Sequence, residues 1–153
     1  MIIIPEVHAY DGELRPPRPS DTHVWDGGAW VSDLQADAKM TSVLRDRALS
    51  LLPNWEKVER AAGIEHAGQR WLTTSAALQD IRDVLLAGAV PNEQWVTADR
   101  QIVPMTFVGL QSLWQAITAR GAAIYQHRLE MERQIAGMDR EHLEAFQPSW
   151  PVP

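Results

Sequence analysis

Two segments of this chain look alike, and that constrains its fold more than any other feature. Gly63–Leu85 aligns without gaps on Trp95–Ile117, an offset of 32 residues. Ile64 falls on Val96, Gln69 on Gln101, Trp71 on Val103 and Thr74 on Thr106. Leu78-Gln79 falls on Leu110-Gln111, Ile81 on Leu113 and Leu85 on Ile117. Only four positions are identical, but turns, caps and apolar phases align together. Each copy reads as strand, turn, strand, Thr cap, helix. The turns are Ala67-Gly68 and Ala98-Asp99-Arg100, and the helices cover about 75–87 and 107–137. Two copies are too few for a solenoid. They predict that the two hairpins share one small sheet backed by helices, or pack on one helical face.

The flanking sequence fits a mainly helical α+β chain. Residues 1–22 hold the short Ile2–Ile4 run, then Pro5, Pro16, Pro17 and Pro19 among polar residues, which reads as an extended or irregular arm. Asp26-Gly27-Gly28 supplies a tight turn, with Val24-Trp25 entering it and Trp30-Val31 leaving it. Trp25 and Trp30 then meet across the strands. Such a hairpin is marginal alone and needs a partner surface. Ser32-Asp33-Leu34-Gln35 fits a capping box. Leu34, Ala38, Thr41, Leu44, Ala48 and Leu51 continue at helical spacing until Pro53 breaks or kinks the helix. A second piece, Asn54 to Ala62, ends at Gly63. The helix after Ser75 stops at Gly88, with Pro91 beyond.

In the last helix Leu110, Leu113, Ile117, Ile124, Met131 and Ile135 form a stripe, with Trp114 and Tyr125 beside it. Gly121 marks a bend or a close approach. About 30 residues of helix span ~45 Å, so its second half is expected to project towards a partner. After Glu141 the tail ends in an extended, polyproline-like segment with Trp150 between prolines. The division is an arm and Trp hairpin over 1–31, a helix and hairpin body over 32–138, and a tail over 139–153.

Composition narrows the function classes. At 153 residues one domain is expected. The net charge of −6 argues against nucleic acid bound through bulk charge. Cys is absent, which removes disulfides, thiolate metal sites and cysteine nucleophiles and suits a reducing cytosol. No apolar run approaches the ~18–20 residues that span a bilayer, and Met1–Pro5 is too short and lacks the basic flank of a signal peptide. The five His residues form no tight metal spacing. Asp80 with Asp83, and Glu56 with Glu59, read as solvated faces with local ion pairs to Arg82 and Arg60. Ser42, Ser50 and Ser112 lie in helices with no evident base. No phosphate loop or nucleophile elbow appears. An enzyme is not expected, nor a cofactor or metal.

Seven Trp residues stand against two Phe and two Tyr. Trp55, Trp71, Trp95 and Trp114 fall on apolar phases and read as core. Trp25, Trp30 and Trp150 fall outside the helical body. With Tyr125, they are the candidate partner-binding residues. Exposed Trp also stacks on sugars, so a glycan-binding module is one alternative.

The run Trp55…Glu59-Arg60-Ala61-Ala62-Gly63-Ile64…Gly68-Gln69…Trp71-Leu72-Thr73-Thr74, followed by Gln94-Trp95-Val96-Thr97-Ala98-Asp99…Val103-Pro104-Met105-Thr106, resembles the C-terminal domain of bacteriophage and prophage tail fibre assembly proteins. The resemblance covers about 40–138. The Pro-rich start and the Trp25…Trp30 hairpin resemble the N-terminal parts of such proteins. Pro53 and the proline-rich tail depart from the pattern. The resemblance implies an ATP-independent chaperone in the bacterial host cytoplasm. Its implied partner is a homotrimeric tail fibre or tail-tip protein, whose slow non-local pairing it would assist. It implies no catalytic residues. The alternative within the same setting is a structural component of the tail tip, baseplate or fibre that stays in the virion. A homo-oligomer is a further possibility. Neither nucleic acid nor membrane is expected as a partner.

Overall fold

The computed structural model describes residues 8–10, 12–20 and 22–153. The Ile2–Ile4 run lies outside the described residues. The chain folds as a mainly helical α+β structure. Its order is β1 (His8–Tyr10), β2 (Glu13–Arg15), β3 (His23–Trp25), β4 (Trp30–Ser32), α1 (Asp33–Ser50), α2 (Leu52–Ala61), β5 (Ile64–His66), β6 (Gln69–Trp71), α3 (Ser75–Ala87), β7 (Gln94–Val96), β8 (Ile102–Pro104), α4 (Phe107–Gly137) and α5 (Arg140–Ala145). The arm is not wholly irregular, because β1 and β2 pair antiparallel, with His8 opposite Arg15.

The helix boundaries follow their local chemistry. Ser32 and Gln35 form the reciprocal capping box at the start of α1. The axis breaks at Leu51, and Pro53 sits in the first turn of α2, where its missing N–H costs nothing. Thr74 and Thr106 cap α3 and α4 in the same way, each accepting from the N–H three residues on. Gly88 ends α3 in the left-handed conformation, φ 85°.

The tandem architecture is present, and the hairpins pack on one helical core rather than join in one sheet. Each hairpin stands as its own two-stranded antiparallel sheet. One backbone bond joins them, from the Ala98 N–H to the Arg70 carbonyl at 2.8 Å. The reason lies in the turns. Ala67 and Gly68, both at positive φ, make a two-residue turn between His66 and Gln69. The second hairpin needs a longer loop, closed by the Thr97 N–H on the Gln101 carbonyl. The extra residues shift the phase. Trp95, not Val96, faces the core where Ile64 does in the first copy.

Two cores lie along α4. The first gathers Trp71, Ile81, Val90, Met105, Leu110, Leu113 and Ile117, with both hairpins packed against it. The second gathers Ala48, Leu52, Met131, Ile135, Leu143 and Phe146, with Trp55 and Met138 at its margin. The second half of α4 therefore does not project. The end of α1, the start of α2 and α5 cover it, because Leu143 and Phe146 in the tail supply the apolar surface. Gly121 is a close approach: a Cβ there would sit 3.1 Å from an Arg60 guanidinium nitrogen. At Gly63, φ is +83° and a Cβ would lie 2.7 Å from the Trp71 carbonyl oxygen. Thr73 completes that corner. Its hydroxyl donates to the Arg60 carbonyl and accepts from the Gly63 N–H, at 2.7 and 2.8 Å.

The part that does stand clear is the first half of α1, where Leu34 and Met40 are exposed. The expected stripe through Leu34 and Ala38 meets no core there.

Leu113→Ala should destabilise the chain by about 2–5 kcal/mol, the usual cost of emptying a buried leucine site. Val58→Ala, on an exposed position of α2, should change stability by less than ~0.5 kcal/mol. Denaturant titration of both variants checks the pair. A loss under ~1 kcal/mol for Leu113→Ala would show that the first core is not what holds the fold.

Candidate protein-binding surfaces

The N-terminal hairpin forms as its residues suggest. Trp25 and Trp30 stand directly opposite each other. Their rings meet edge to face, 5.4 Å between centroids at 70°. Asp26 closes the turn by accepting from the Gly28 and Ala29 N–H groups. Those two bonds, with Lys39 beside it, hold the Asp26 carboxyl below its ordinary range. The arm lies along the hairpin. The Arg15 guanidinium stacks over Trp25 at 4.9 Å and that of Arg18 over Trp30 at 5.8 Å. The Trp30 indole N–H donates to the Pro16 carbonyl at 2.6 Å. Both Trp rings are thus half-buried by their own arm, while Val24 stays exposed.

Trp150 lies elsewhere. It folds back onto α2 and α4, stacked on His127 at 5.0 Å and tilted against Trp55 at 5.3 Å. Its indole N–H donates to Glu59 at 2.9 Å, and the Arg120 guanidinium lies 4.7 Å over its ring. The carbonyl of Ser149 accepts from His127 Nε2 at 2.6 Å, which places the proton on that nitrogen. The tail is therefore a strap over the chain's own surface, and its first part is helix α5 rather than extended chain. Tyr125 is exposed on α4. The structure brings Trp25 and Trp30 together and leaves Trp150 and Tyr125 apart from them.

The carboxylates divide into two kinds. Glu56 pairs with Arg128 and Arg60, and Glu59 pairs with Arg120. Burial raises Glu56, but the bonds from Arg128 and Arg60 outweigh it and hold its carboxyl low. The ion pairs read for Asp80 and Asp83 are absent among the described residues. Arg82 instead lies 5.9 Å over the Trp114 ring. One and two residues from the acids, it cannot face them on a helix. Asp80 and Asp83 line a groove of about 850 Å³ between α3 and the β7–β8 hairpin. Composition and motif could not have found this groove, but the helical spacing of the two acids could have marked their shared, cation-free face.

Ser112 does have a base beside it. Its hydroxyl lies 3.1 Å from His66 Nε2. No carboxylate among the described residues orients that imidazole, which leaves the pair short of a nucleophilic triad. No group of three or more His, Asp or Glu among the described residues could hold a metal ion. No helix among them is long and apolar enough to cross a membrane.

These features define a mainly helical α+β protein whose two cores share one long helix. Residues 43–147 match the family described as a domain of unknown function (DUF4376). The match takes in most of the chain, and the chain belongs to that family. The matched stretch holds both cores and the groove, and leaves the Trp hairpin and Trp150 outside. No curated protein and no solved structure matches.

The α5 cap yields a pH prediction. Asp139 accepts from the His142 N–H and from His142 Nδ1. The first bond chiefly lowers the Asp139 carboxyl from 3.8, and the second chiefly raises the His142 imidazole from 6.5. The raised imidazole stabilises the fold below its ordinary value and loses that contribution as pH rises through its folded value. The lowered carboxylate stabilises above its ordinary value and loses it as pH falls through its own. The pair is therefore strongest between about pH 4 and 6.5. An NMR titration should find His142 above the free-histidine range, and Asp139→Asn should bring it down. An unchanged His142 titration in that variant would break the assignment.

Proposed function

We propose that this chain is an ATP-independent assembly chaperone for a bacteriophage tail fibre or tail-tip protein, acting in the host cytoplasm. The observation that carries the reading is the module at the start of the described chain. The Trp hairpin and the first half of α1 stand outside both cores, with Val24, Leu34 and Met40 exposed. Leu34 is 82% exposed. Scattered apolar residues need no explanation, but two half-buried Trp rings on a hairpin that packs on neither core fit a protein contact.

The resemblance to tail fibre assembly proteins supports the choice of partner. Its motifs fall on structurally coherent points: the Gly63-Ile64 corner, the Gly68 turn, the Thr97–Asp99 loop and the Thr74 and Thr106 caps. A fibre trimer pairs strands between chains, so its edges stay open until all three chains meet. A small companion with apolar anchors would cover such edges meanwhile and would need no nucleotide. The permanent-joint alternative draws on the Pro-rich N-terminal segment and the Trp150 tail as ordered arms of the kind that make lattice contacts; of these, Trp150 is docked on its own chain.

Trp25→Ala with Trp30→Ala should leave the helical body folded by circular dichroism. It should weaken co-purification with the co-expressed fibre or tail-tip protein of the same phage, since a hot-spot Trp is worth about 2–4 kcal/mol. A folded double variant that binds as before would take the hairpin out of the interface, and an unfolded one would place both rings in the intramolecular core. Mass spectrometry of purified virions separates transient chaperone from permanent joint: stoichiometric presence would favour the joint.

A further inference from the structure

The groove between α3 and the β7–β8 hairpin has a second recognition surface built into it. Its floor is apolar, with Trp71, Ile81 and Leu113 buried and Trp95 half-buried. Its lips are apolar and open. Leu72, Val96 and Ile102 are 50, 52 and 68% exposed. Three large apolar side chains around one concavity are unusual on a surface without a partner.

One side of the groove is a strand edge. Gln94, Trp95, Val96 and Thr97 all line it in succession. Side chains alternate between faces, so four consecutive residues reach one groove only where the edge borders it. Hydrogen-bonded and open pairs alternate in an antiparallel ladder. Thr97 donates to the Gln101 carbonyl and Met105 to the Glu93 carbonyl. Trp95 and Val103, opposite each other between them, are then also a hydrogen-bonded pair. Val96 must direct its N–H and C=O away from β8, and on that edge the Gln94 and Ala98 N–H groups already donate to the Pro91 and Arg70 carbonyls, which leaves Val96 as the open position.

The other side is acidic. Asp80 and Asp83 stand three apart on α3, and neither has a cationic partner among the described residues. Arg100 also lines the groove, which leaves one net negative charge. That charge disfavours nucleic acid. The Trp71 ring is buried and its indole N–H is committed to the His66 carbonyl at 2.9 Å, so it offers no open face for a sugar.

We propose that this groove receives one extended segment of a partner protein. The segment pairs in extended form with the Val96 N–H and C=O on the edge of β7. It lays an aliphatic side chain on the apolar floor and, two residues away on the same face, a Lys or Arg against Asp80 and Asp83. The proposal rests on the protein-binding reading above, but its site is separate from the Trp hairpin.

The test pans a displayed library of random eight-residue peptides against the full chain. Enriched peptides should carry a basic residue two positions from an aliphatic one. By fluorescence anisotropy, Asp80→Asn with Asp83→Asn should weaken the best peptide at least tenfold. Val96→Pro should abolish binding, because it removes the donor at the open position of the edge and not one from the β7–β8 ladder. Amide exchange in the wild-type chain gives the same answer without a variant: the peptide should protect the Val96 N–H. No enriched peptide, an acidic consensus, unprotected Val96 or undiminished binding by the double Asn variant would each overturn the proposal. Displacement of the peptide by a neutral oligosaccharide or by single-stranded DNA would do so too. Trp25→Ala with Trp30→Ala should still bind the peptide. A wild-type chain that binds the peptide but no fibre or tail-tip protein would locate the fault in the functional reading alone, and one that binds the fibre but no peptide would locate it in the groove alone.

Discussion

The apolar stripe of α4 is the surface against which the rest of the body is arranged. Leu110, Leu113, Ile117, Ile124, Met131 and Ile135 are all buried, although the helix has 31 residues. A straight helix of that length runs about 46 Å, further than one small core can cover. The chain solves this by assembling two cores in series. Both hairpins and α3 close over the first half. The end of α1, the start of α2 and α5 close over the second. Between them, the ion pairs of Glu56 and Glu59 with Arg128 and Arg120 tie α2 to α4, and the Trp150 strap lies across the join. Both pairs are part-buried and join residues far apart in sequence, so they hold α2 against α4.

Much of this was legible beforehand. The stripe of α4 was read residue for residue, since a 3.6-residue period over many turns is a strong signal. The Ser32, Thr74 and Thr106 caps were equally clear, because capping depends on one side chain and its neighbours in sequence. What was left open or missed shares a cause. Whether two hairpins join into one sheet or pack on one helical face depends on turn geometry that a gapless alignment hides, and the longer loop around Ala98-Asp99-Arg100 moved Trp95 rather than Val96 into the core. Helix α5 has only six residues, too few for a period to show, so its cover of α4 went unseen. The site was half legible. Trp25 and Trp30 were marked, whereas the groove exists only once α3 and β7 are brought together.

The two candidate surfaces divide the labour differently. The Trp hairpin is anchored by its own arm and presents a half-buried aromatic pair. The groove presents a strand edge, an apolar floor and unpaired carboxylates. Only the second lies within the stretch shared with the DUF4376 family.

The second core also imposes an order in time. Ala48, Leu52 and Trp55 are made early, but the residues that cover them run from Met131 to Trp150. About 80 residues separate Trp55 from Met131. At ordinary synthesis rates that is roughly 4–16 s. The first core is complete only once Ile117 has been made, shortly before Met131. For most of that interval the ribosome carries a chain whose early apolar helix face has no cover. The chain thus passes through a stage of exposed apolar surface during its own synthesis, and the final strap ends it.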